Sequence, residues 1–330
     1  MAGPDDPILM VTTKGDASLV AIDVASGELV GKAGAGDRNL AKPHELTLTQ
    51  DGKQAVVSLY GTGDYGDNQP ANQLSVIDLS TMTEVRRVDL NLHTGPHGLT
   101  TDDDGKIWVT VENSQSALII DPASWQIEQT VWLQVGPHFL ARSHDGRRLY
   151  FSHKQYPFLT VVDIRERRVV GRIDMPRGAQ AIRVSPDDRW LYAGDFNRPF
   201  LHRVDCAAMT LERTAPLEGV PGWPYPTPDG RFVLVTTFDE AKGVGYVEIF
   251  DAGALSALGS VQLPAEPFHS IAAGDGRRVY VALADGCIPV IDLEQRILSE
   301  TRLRTTARMP EALALVQRRD VGSGRALPIA

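Results

Sequence analysis

The sequence predicts an all-β protein, and three observations support this fold class. A twelve-residue motif, TGPHGLTTDDDG at 94–105, returns as VGPHFLARSHDG at 135–146. Similar segments recur every 41 to 53 residues and align on Pro43, Pro96, Pro137, Ala179, Pro221, Pro267 and Pro310. Each segment is followed by short runs rich in β-branched and aromatic residues. Seven strand-rich repeats of this length predict a seven-bladed β-propeller.

Each repeat contains four predicted strands. The first alternates apolar and polar residues and ends at an Asp-Gly turn, as in HELTLTQDG. The second is rich in β-branched and aromatic residues, as in QAVVSLY. The fourth is more polar, as in RVVGRIDM, which favours an exposed outer edge. The third ends in an aspartate that suits turn capping rather than catalysis: Asp23, Asp78, Asp121, Asp163, Asp205, Asp251 and Asp292.

The repeats predict one domain, residues 1–330, made of four-stranded antiparallel blades. The chain begins inside a repeat, at ILMVTT, and the segment MPEALALV near its end supplies the missing first strand. We therefore expect the N- and C-terminal strands to pair and close the ring. The predicted blades are 8–36 plus 307–317, 42–91, 95–134, 136–175, 178–218, 220–264 and 266–306.

The repeats resemble those of the YVTN/lactonase-like propeller family, which share the pattern GP-x-x-ϕ-x-x-x-DG-ϕ-x-V, and the likeness covers nearly the whole chain. That family contains lyases, lactonase relatives, oxidases and binding proteins, so the resemblance implies the fold and leaves the function open. The stretch GPHGLTTDDDGKIWVT is also similar to the virginiamycin B lyase family. That family has its functional His and Glu in later blades, where Gln180 and Gly222 interrupt the pattern here, so no residue role is transferred.

Composition excludes several classes of partner. The 330 residues are 42% hydrophobic and 23% charged, as in soluble globular proteins. The net charge of −9, with scattered basic residues, argues against nucleic acid or an anionic membrane as partner. Because no signal peptide and no long apolar run is evident, we expect a cytoplasmic protein. Cys206 and Cys287 suit buried thiols, although one disulfide stays open, as does the oligomeric state, a monomer included.

The two ends of the predicted ring differ. The Asp-Gly turns are short and uniform, which indicates a scaffold. The loops between second and third strands vary in length and chemistry, at 60–73, 153–158, 195–200 and 238–246. Because functional residues concentrate on variable loops of a rigid fold, we predict the site at this second end, with 60–73 as a candidate flap.

The residue that begins each inner strand should point into the central channel. Read around the ring, these residues are His44, His97, His138, Gln180, Gly222, Phe268 and Glu311. Imidazoles beside a carboxylate form an N/O ligand set for a divalent ion such as Zn, Fe, Mn, Ni, Mg or Cu. We predict as metal ligands His44, His97, His138, His269 and Glu311. The alternative is that the histidines only bind loop backbone or channel water.

A second ring is expected at the ends of the second strands. Its candidate catalytic residues are Tyr60, Glu112, His153 and Asp195, of which Glu112 and His153 suit general acid/base roles. The candidate substrate-binding residues are Gln180, Phe196, Trp223, Tyr225 and Phe238. Among the other histidines, His144 is expected in solvent and His202 in a structural position.

The sequence contains no P-loop, no GxGxxG, no GxSxG and no CxxC motif, which argues against nucleotide and serine-nucleophile chemistry. The preferred hypothesis is a metal-dependent lyase, isomerase or cyclase with a small organic substrate, for example in secondary metabolism, in which the metal acts as a Lewis acid. Two alternatives stay open. One is an Fe- or Cu-dependent oxidase or oxygenase, and the other is a propeller that binds a ligand or a protein without catalysis.

Overall fold

Seven four-stranded antiparallel sheets are arranged in a ring in the computed structural model, which describes residues 7–62 and 69–321. The innermost strands of neighbouring sheets contact each other all the way around. This confirms the predicted seven-bladed β-propeller. The described residues contain no helix long and apolar enough to cross a membrane. Residues 63–68 of the predicted flap lie outside the described residues.

The first blade joins both ends of the described chain. It contains β1 (Pro7–Thr13), β2 (Ser18–Asp23), β3 (Leu29–Gly34) and β28 (Pro310–Gln317), in the order β28-β1-β2-β3. Strand β28 pairs with β1 in antiparallel register, with Leu315 opposite Leu9. The ring is therefore closed by hydrogen bonds between strands from the two ends, as the sequence predicts.

The other six blades each use four consecutive strands. Blades 2 to 4 contain β4 (Lys42–Leu48), β5 (Gln54–Gly61), β6 (Pro70–Asp78), β7 (Thr83–Asp89), β8 (Pro96–Thr101), β9 (Ile107–Val111), β10 (Ser116–Asp121), β11 (Gln126–Trp132), β12 (Leu140–Arg142), β13 (Arg148–Phe151), β14 (Phe158–Asp163) and β15 (Arg168–Asp174). Blades 5 to 7 contain β16 (Ala179–Val184), β17 (Trp190–Asp195), β18 (Phe200–Asp205), β19 (Thr210–Pro216), β20 (Val220–Pro226), β21 (Phe232–Asp239), β22 (Val244–Asp251), β23 (Ala257–Leu263), β24 (Pro267–Ala272), β25 (Arg278–Leu283), β26 (Cys287–Asp292) and β27 (Ile297–Arg304).

The hydrophobic core lies between adjacent blades. One cluster, for example, joins Val56 and Val76 of blade 2 to Val109 and Leu118 of blade 3, all fully buried. The outermost strands contribute little, and in Thr83–Asp89 six of the seven residues are exposed. Burial of apolar side chains between the sheets therefore holds neighbouring blades in register and fixes the width of the channel.

The inner strands are interrupted where they line the channel. Pro43 pairs with Leu59 and Leu46 pairs with Val57, so two residues, His44 and Glu45, stand opposite one residue of the next strand. Blades 1, 3, 5, 6 and 7 show the same shift in their inner strands. Such a bulge re-aims side chains locally. Two successive residues of an inner strand can therefore face the channel.

Hydroxyl groups of the second strands stabilise these bulges. In five blades the bulged backbone N–H donates to a Ser or Thr side chain at 2.8 to 3.1 Å, namely Ser58, Thr110, Ser152, Thr236 and Thr12. Thr12 accepts from Ala312 at 2.9 Å and donates to the carbonyl of His44 at 2.7 Å. The same hydroxyl therefore ties the closing blade to the next one.

Replacement of Thr12 by valine should destabilise the fold without changing its shape. The substitution keeps the volume but leaves the Ala312 N–H and the His44 carbonyl buried without this partner, which costs about 1–3 kcal/mol. Urea unfolding measures the loss. As a control, the exposed Thr83→Val should change stability by less than about 0.5 kcal/mol. Equal stability of the Thr12 variant and the wild type would contradict a structural role for this hydroxyl.

Candidate metal centre

Three histidines from successive blades lie side by side in the channel. The ring centroids of His44 and His97 are 4.2 Å apart, and those of His97 and His138 are 4.0 Å apart. All three side chains are buried. They line a cavity of about 360 Å³, together with Gln180 and Glu311. The structure thus brings together five side chains that the sequence places in separate repeats.

The compact group of possible ligands is His44, Glu45 and His97. One ligand atom from each lies within 4.8 Å of the other two, and all three residues are buried. Glu45 follows His44 directly and reaches the group because both residues occupy the bulge. Sequence reasoning missed Glu45, since alternation in a regular strand would turn it away from the channel. A histidine followed directly by an acid at the start of the inner strand was the available signal.

His269 faces the channel from the second bulge position of its inner strand, and it contacts Glu45 rather than the three stacked rings. Its Nε2 donates to Glu45 Oε1 at 3.1 Å, and its ring packs on Trp223 with centroids 3.8 Å apart. Its one-residue offset from the inner-strand start corresponds to the second position of the bulge in blade 7. His269 therefore orients a carboxylate of the cluster, as partners of metal ligands commonly do.

Glu311 lies beside His44 together with a lysine that sequence reasoning missed. Glu311 Oε1 is 3.6 Å from His44 Nδ1, and its Oε2 is 3.2 Å from Lys14 Nζ. Lys14 Nζ also approaches His44 Nε2 at 3.5 Å. Lys14 follows the second strand of its blade, two residues after Thr12, as Tyr60 follows Ser58 and Glu112 follows Thr110. This shared spacing in the blade repeat was the sequence signal for the position of Lys14.

Glu112 and Tyr60 stand next to His138. The Tyr60 hydroxyl donates to Glu112 Oε2, and His138 Nδ1 lies 3.4 Å from the same oxygen. Because a carboxylate only accepts hydrogen bonds, the Nδ1 of His138 is the protonated nitrogen of the neutral ring. Gly136 of the GPH motif leaves room for Glu112. A side chain there would collide with it, because its Cβ would lie 2.7 Å from the carbonyl oxygen of Glu112.

Burial keeps the three stacked imidazoles neutral. It lowers the pKa of His44, helped by Lys14, and it lowers the pKa of His97 well below the usual range, helped by His138 and His44. Burial and Lys154 lower the pKa of His138 to about 4, although Glu112 acts in the opposite direction. Neutral imidazole is the form that binds metal ions.

The neighbouring carboxylates are ionised. Burial alone would raise the pKa of Glu45, but His269 and His44 hold it well below the usual range. Burial would likewise raise the pKa of Glu112, yet His138, Lys154 and Tyr60 lower it to about 2. The cluster therefore presents neutral nitrogen donors and anionic oxygen donors together.

Several buried polar atoms of the cavity have no hydrogen-bond partner among the described residues. They are His44 Nδ1, His97 Nδ1 and Gln180 Oε1, besides Glu311 Oε2, which has an ion-pair contact with Lys14 at 3.2 Å. A buried polar atom left without a partner costs about 1–3 kcal/mol. Three such atoms lining one cavity indicate a place where a bound species completes the coordination or the hydrogen bonding.

His153 and Asp195 lie outside the cluster. His153 is fully buried, with Nδ1 2.9 Å from the Gly136 carbonyl and Nε2 2.8 Å from the Thr160 hydroxyl, so neither nitrogen is available to a substrate. Asp195 is equally buried and pairs with Arg198 at 2.7 Å and His202 at 3.2 Å. His153 and Asp195 occupy the same position in their strands as Leu59 and Val111, which directly precede Tyr60 and Glu112. Because successive strand residues face opposite sides, His153 and Asp195 point away from the side on which Tyr60 and Glu112 lie.

The proposed substrate-binding residues divide between two cavities. Gln180, Phe196, Trp223 and Phe238 line the cavity beside the histidines. Tyr225 instead lines a cavity at the opposite end of the channel, because it lies two residues further along its inner strand.

No family model and no curated protein matches the chain. Among solved structures, the chain is similar to Kuenenia stuttgartiensis hydrazine synthase, with a TM-score of 0.71 and 16% identity. The match covers 84% of this chain and 96% of that chain. At this identity the likeness supports the propeller fold alone.

Acidification should destabilise the metal-free protein. His44, His97 and His138 have lowered pKa values in the folded chain, so unfolding at acidic pH takes up protons. Their contribution is complete above pH about 6.5 and decreases toward pH 4, by up to about 1.4 kcal/mol per pH unit for each ring.

Urea unfolding in EDTA between pH 7 and pH 5 measures this dependence. His97→Gln should reduce the slope, whereas His144→Gln, at an exposed turn, should leave it unchanged. A slope identical in the wild type and the His97 variant would contradict a neutral, buried His97.

Proposed function

We propose that the channel cluster binds a divalent transition-metal ion through His44, Glu45 and His97, and that the adjoining cavity is the active site of an enzyme with a small organic substrate. The observation that carries this proposal is the ligand geometry. The three donor atoms lie within 4.8 Å of one another, and the Nδ1 atoms of both histidines have no hydrogen-bond partner among the described residues.

The chemistry of the donors supports a transition metal. Two imidazoles and a carboxylate suit Zn, Fe, Mn or Cu, whereas Mg prefers an all-oxygen shell. Charge supports a cation as well. The side chains around the stacked rings include the acids Glu45, Glu112 and Glu311, against the ammonium groups of Lys14 and Lys154. When bound, such an ion would act as a Lewis acid on a substrate oxygen.

His138 is the proposed proton acceptor. It lines the cavity, and its Nδ1–H is directed at Glu112, which leaves Nε2 as the basic nitrogen of the ring. Glu112 orients the imidazole and stabilises its protonated form, and Tyr60 orients Glu112 through its hydroxyl. An oriented base next to a Lewis acid suits lyase, isomerase or cyclase chemistry, in which a substrate loses a proton next to an oxygen.

The cavity has the size and the lining of a site for a small organic molecule. Its volume of about 360 Å³ falls at the lower end of small-molecule pockets. Phe196, Trp223 and Phe238 provide apolar walls, and Gln180 and Lys154 provide polar groups. The unpartnered Oε1 of Gln180 is a hydrogen-bond acceptor for a substrate N–H or O–H.

One observation favours a second candidate, a propeller that binds an organic ligand without metal. Lys14 donates toward His44 Nε2, which places the proton of the neutral ring on Nδ1, near Glu45 and Glu311. A protonated Nδ1 is not a metal ligand. Metal binding through Nδ1 therefore requires Lys14 to give up its contact with His44 Nε2. The likeness to a hydrazine synthase is at the level of the fold and favours neither candidate.

Metal content tests the proposal directly. The purified protein should contain about one transition-metal ion per chain, measured by elemental analysis, and Co²⁺ titrated into the metal-free protein should give visible absorption bands. His97→Ala and Glu45→Gln should each weaken Co²⁺ binding at least tenfold. His144→Ala, at an exposed turn, is the matched control and should bind as the wild type. Equal Co²⁺ affinity in all four proteins would leave the metal-free candidate.

The tautomer of His138 tests the proposed orientation of the base. Nitrogen-15 NMR of the wild type should show a proton on Nδ1 and none on Nε2. Glu112→Gln should abolish this preference, because an amide can either accept or donate at that position. Metal content should stay unchanged, since Glu112 is not one of the proposed ligands. A wild-type His138 protonated on Nε2 would contradict the role given to Glu112.

A further inference from the structure

A second cavity lies at the opposite end of the channel, where the uniform Asp-Gly turns predict only a scaffold. Its volume is about 590 Å³. The lining includes apolar residues such as Leu46, Leu140 and Val184, together with Tyr225 and the guanidinium-bearing Arg183. The layer between the two cavities contains Phe139 and Trp223, whose ring centroids are 4.3 Å apart.

Arg183 breaks the symmetry of the ring. It lies in β16 opposite Tyr192, two residues after the last residue of the bulge. By strand register, the corresponding residues of the other six blades are Thr47, Thr100, Ala141, Tyr225, Ile271 and Ala314. Six uncharged side chains and one arginine therefore surround the channel at this level. Scaffolding does not require such a residue, since a half-buried charge loses part of its hydration.

The guanidinium of Arg183 has unused donors. It stacks on Phe139 at 4.5 Å and near Trp223 at 5.2 Å. Within the described part of the chain, its one hydrogen bond runs from Nη1 to its neighbour's carbonyl, that of Ile182, at 3.2 Å. No carboxylate of the described residues forms an ion pair with it, and the nearby Glu45 is held by His269. Arginine stays protonated under these conditions, with five N–H donors in a planar fork.

A second arginine adds positive charge to the same cavity. Arg142 donates from Nη1 to the Thr101 carbonyl at 3.1 Å and from Nη2 to Asp103. Its Nε is buried and has no partner among the described residues. Tyr225 lines the same wall with its hydroxyl-bearing ring. The cavity therefore combines unsatisfied cationic donors with extensive apolar surface.

We propose that this second cavity binds a small organic carboxylate, with Arg183 as its anchoring residue. A carboxylate fits the guanidinium fork with two parallel hydrogen bonds, and the aromatic stack holds that fork in one plane. The apolar wall would cover the organic body of the ligand. Of the three proposed metal ligands, only Glu45 also lines this cavity, and its charge acts on Arg183 without an ion pair among the described residues. The proposed carboxylate site therefore uses Arg183 and not the proposed metal ligands.

Benzoate is the probe for this proposal, with benzamide as its uncharged analogue and acetate as the anion without an apolar body. Binding is measured by calorimetry on the full chain in EDTA. Quenching of tryptophan fluorescence gives a second measurement, because Trp223 lies 5.2 Å from the guanidinium. The wild type should bind benzoate at least tenfold more tightly than either benzamide or acetate.

Variants identify the residue and the cavity. Arg183→Gln should weaken benzoate binding at least tenfold. Arg183→Lys should recover only part of the affinity, because lysine keeps the charge but loses the planar fork. Arg147→Gln, at an exposed turn, is the matched control and should bind as the wild type. His97→Ala should also retain binding, since His97 lines the other cavity.

Three results would overturn the proposal. They are equal affinity for benzoate and benzamide, unchanged benzoate affinity in Arg183→Gln, and loss of binding in His97→Ala with retention in Arg183→Gln. The comparison of benzoate with benzamide uses only the wild type, so it decides the matter even if the Arg183 variants do not fold.

Discussion

The bulge in the inner strands is the constraint on which the channel depends. A regular strand turns alternate side chains to opposite faces, so only His44 or Glu45 could face the axis. The bulge puts both residues into the channel and captures the N–H of Glu45 with the Ser58 hydroxyl at 3.0 Å. The channel therefore receives two layers of side chains where alternation would supply one. Blades 5 and 7 keep the bulge with Gly194 and Ala282 at the hydroxyl position, so strand geometry sets it and the hydroxyls stabilise it.

Dense charge inside the channel is tolerated because the groups compensate one another in pairs. Glu45 accepts from His269, Glu311 faces Lys14, and Glu112 accepts from Tyr60 beside His138. His97 is the exception. Its neighbours in the stack are imidazoles, which makes a second positive charge unfavourable, and its Nδ1 has no partner among the described residues. The central ring of the stack is thus held neutral with an open nitrogen, which is the state that a metal ion requires.

The fold could be predicted because its repeat length, turn residues and strand patterns are all local in sequence. The same logic located His44, His97, His138 and Glu311, since each begins an inner strand. It could not locate Glu45, because a bulge shifts the alternation of side chains by one residue and no residue type marks the bulge in the sequence. Glu112 and His153 likewise differ by one residue in their position along the second strand of the blade. Glu112 therefore faces the channel mouth, whereas His153 faces the blade interior. Strand residues alternate between two faces, but the sequence does not show at which residue this alternation starts in each strand.

The asymmetry of the channel is best explained by two separate demands on one symmetric frame. Each blade offers equivalent positions at every channel level. A different residue type at one of these positions therefore leaves the blade topology unchanged and alters only the chemistry of the channel. At the upper level three blades supply imidazoles, while two levels below a single blade supplies Arg183. Phe139, Trp223 and His269 pack together between these levels, and His269 holds Glu45, whose charge also acts on Arg183. An aromatic packing layer therefore lies between the proposed metal centre and the proposed carboxylate site.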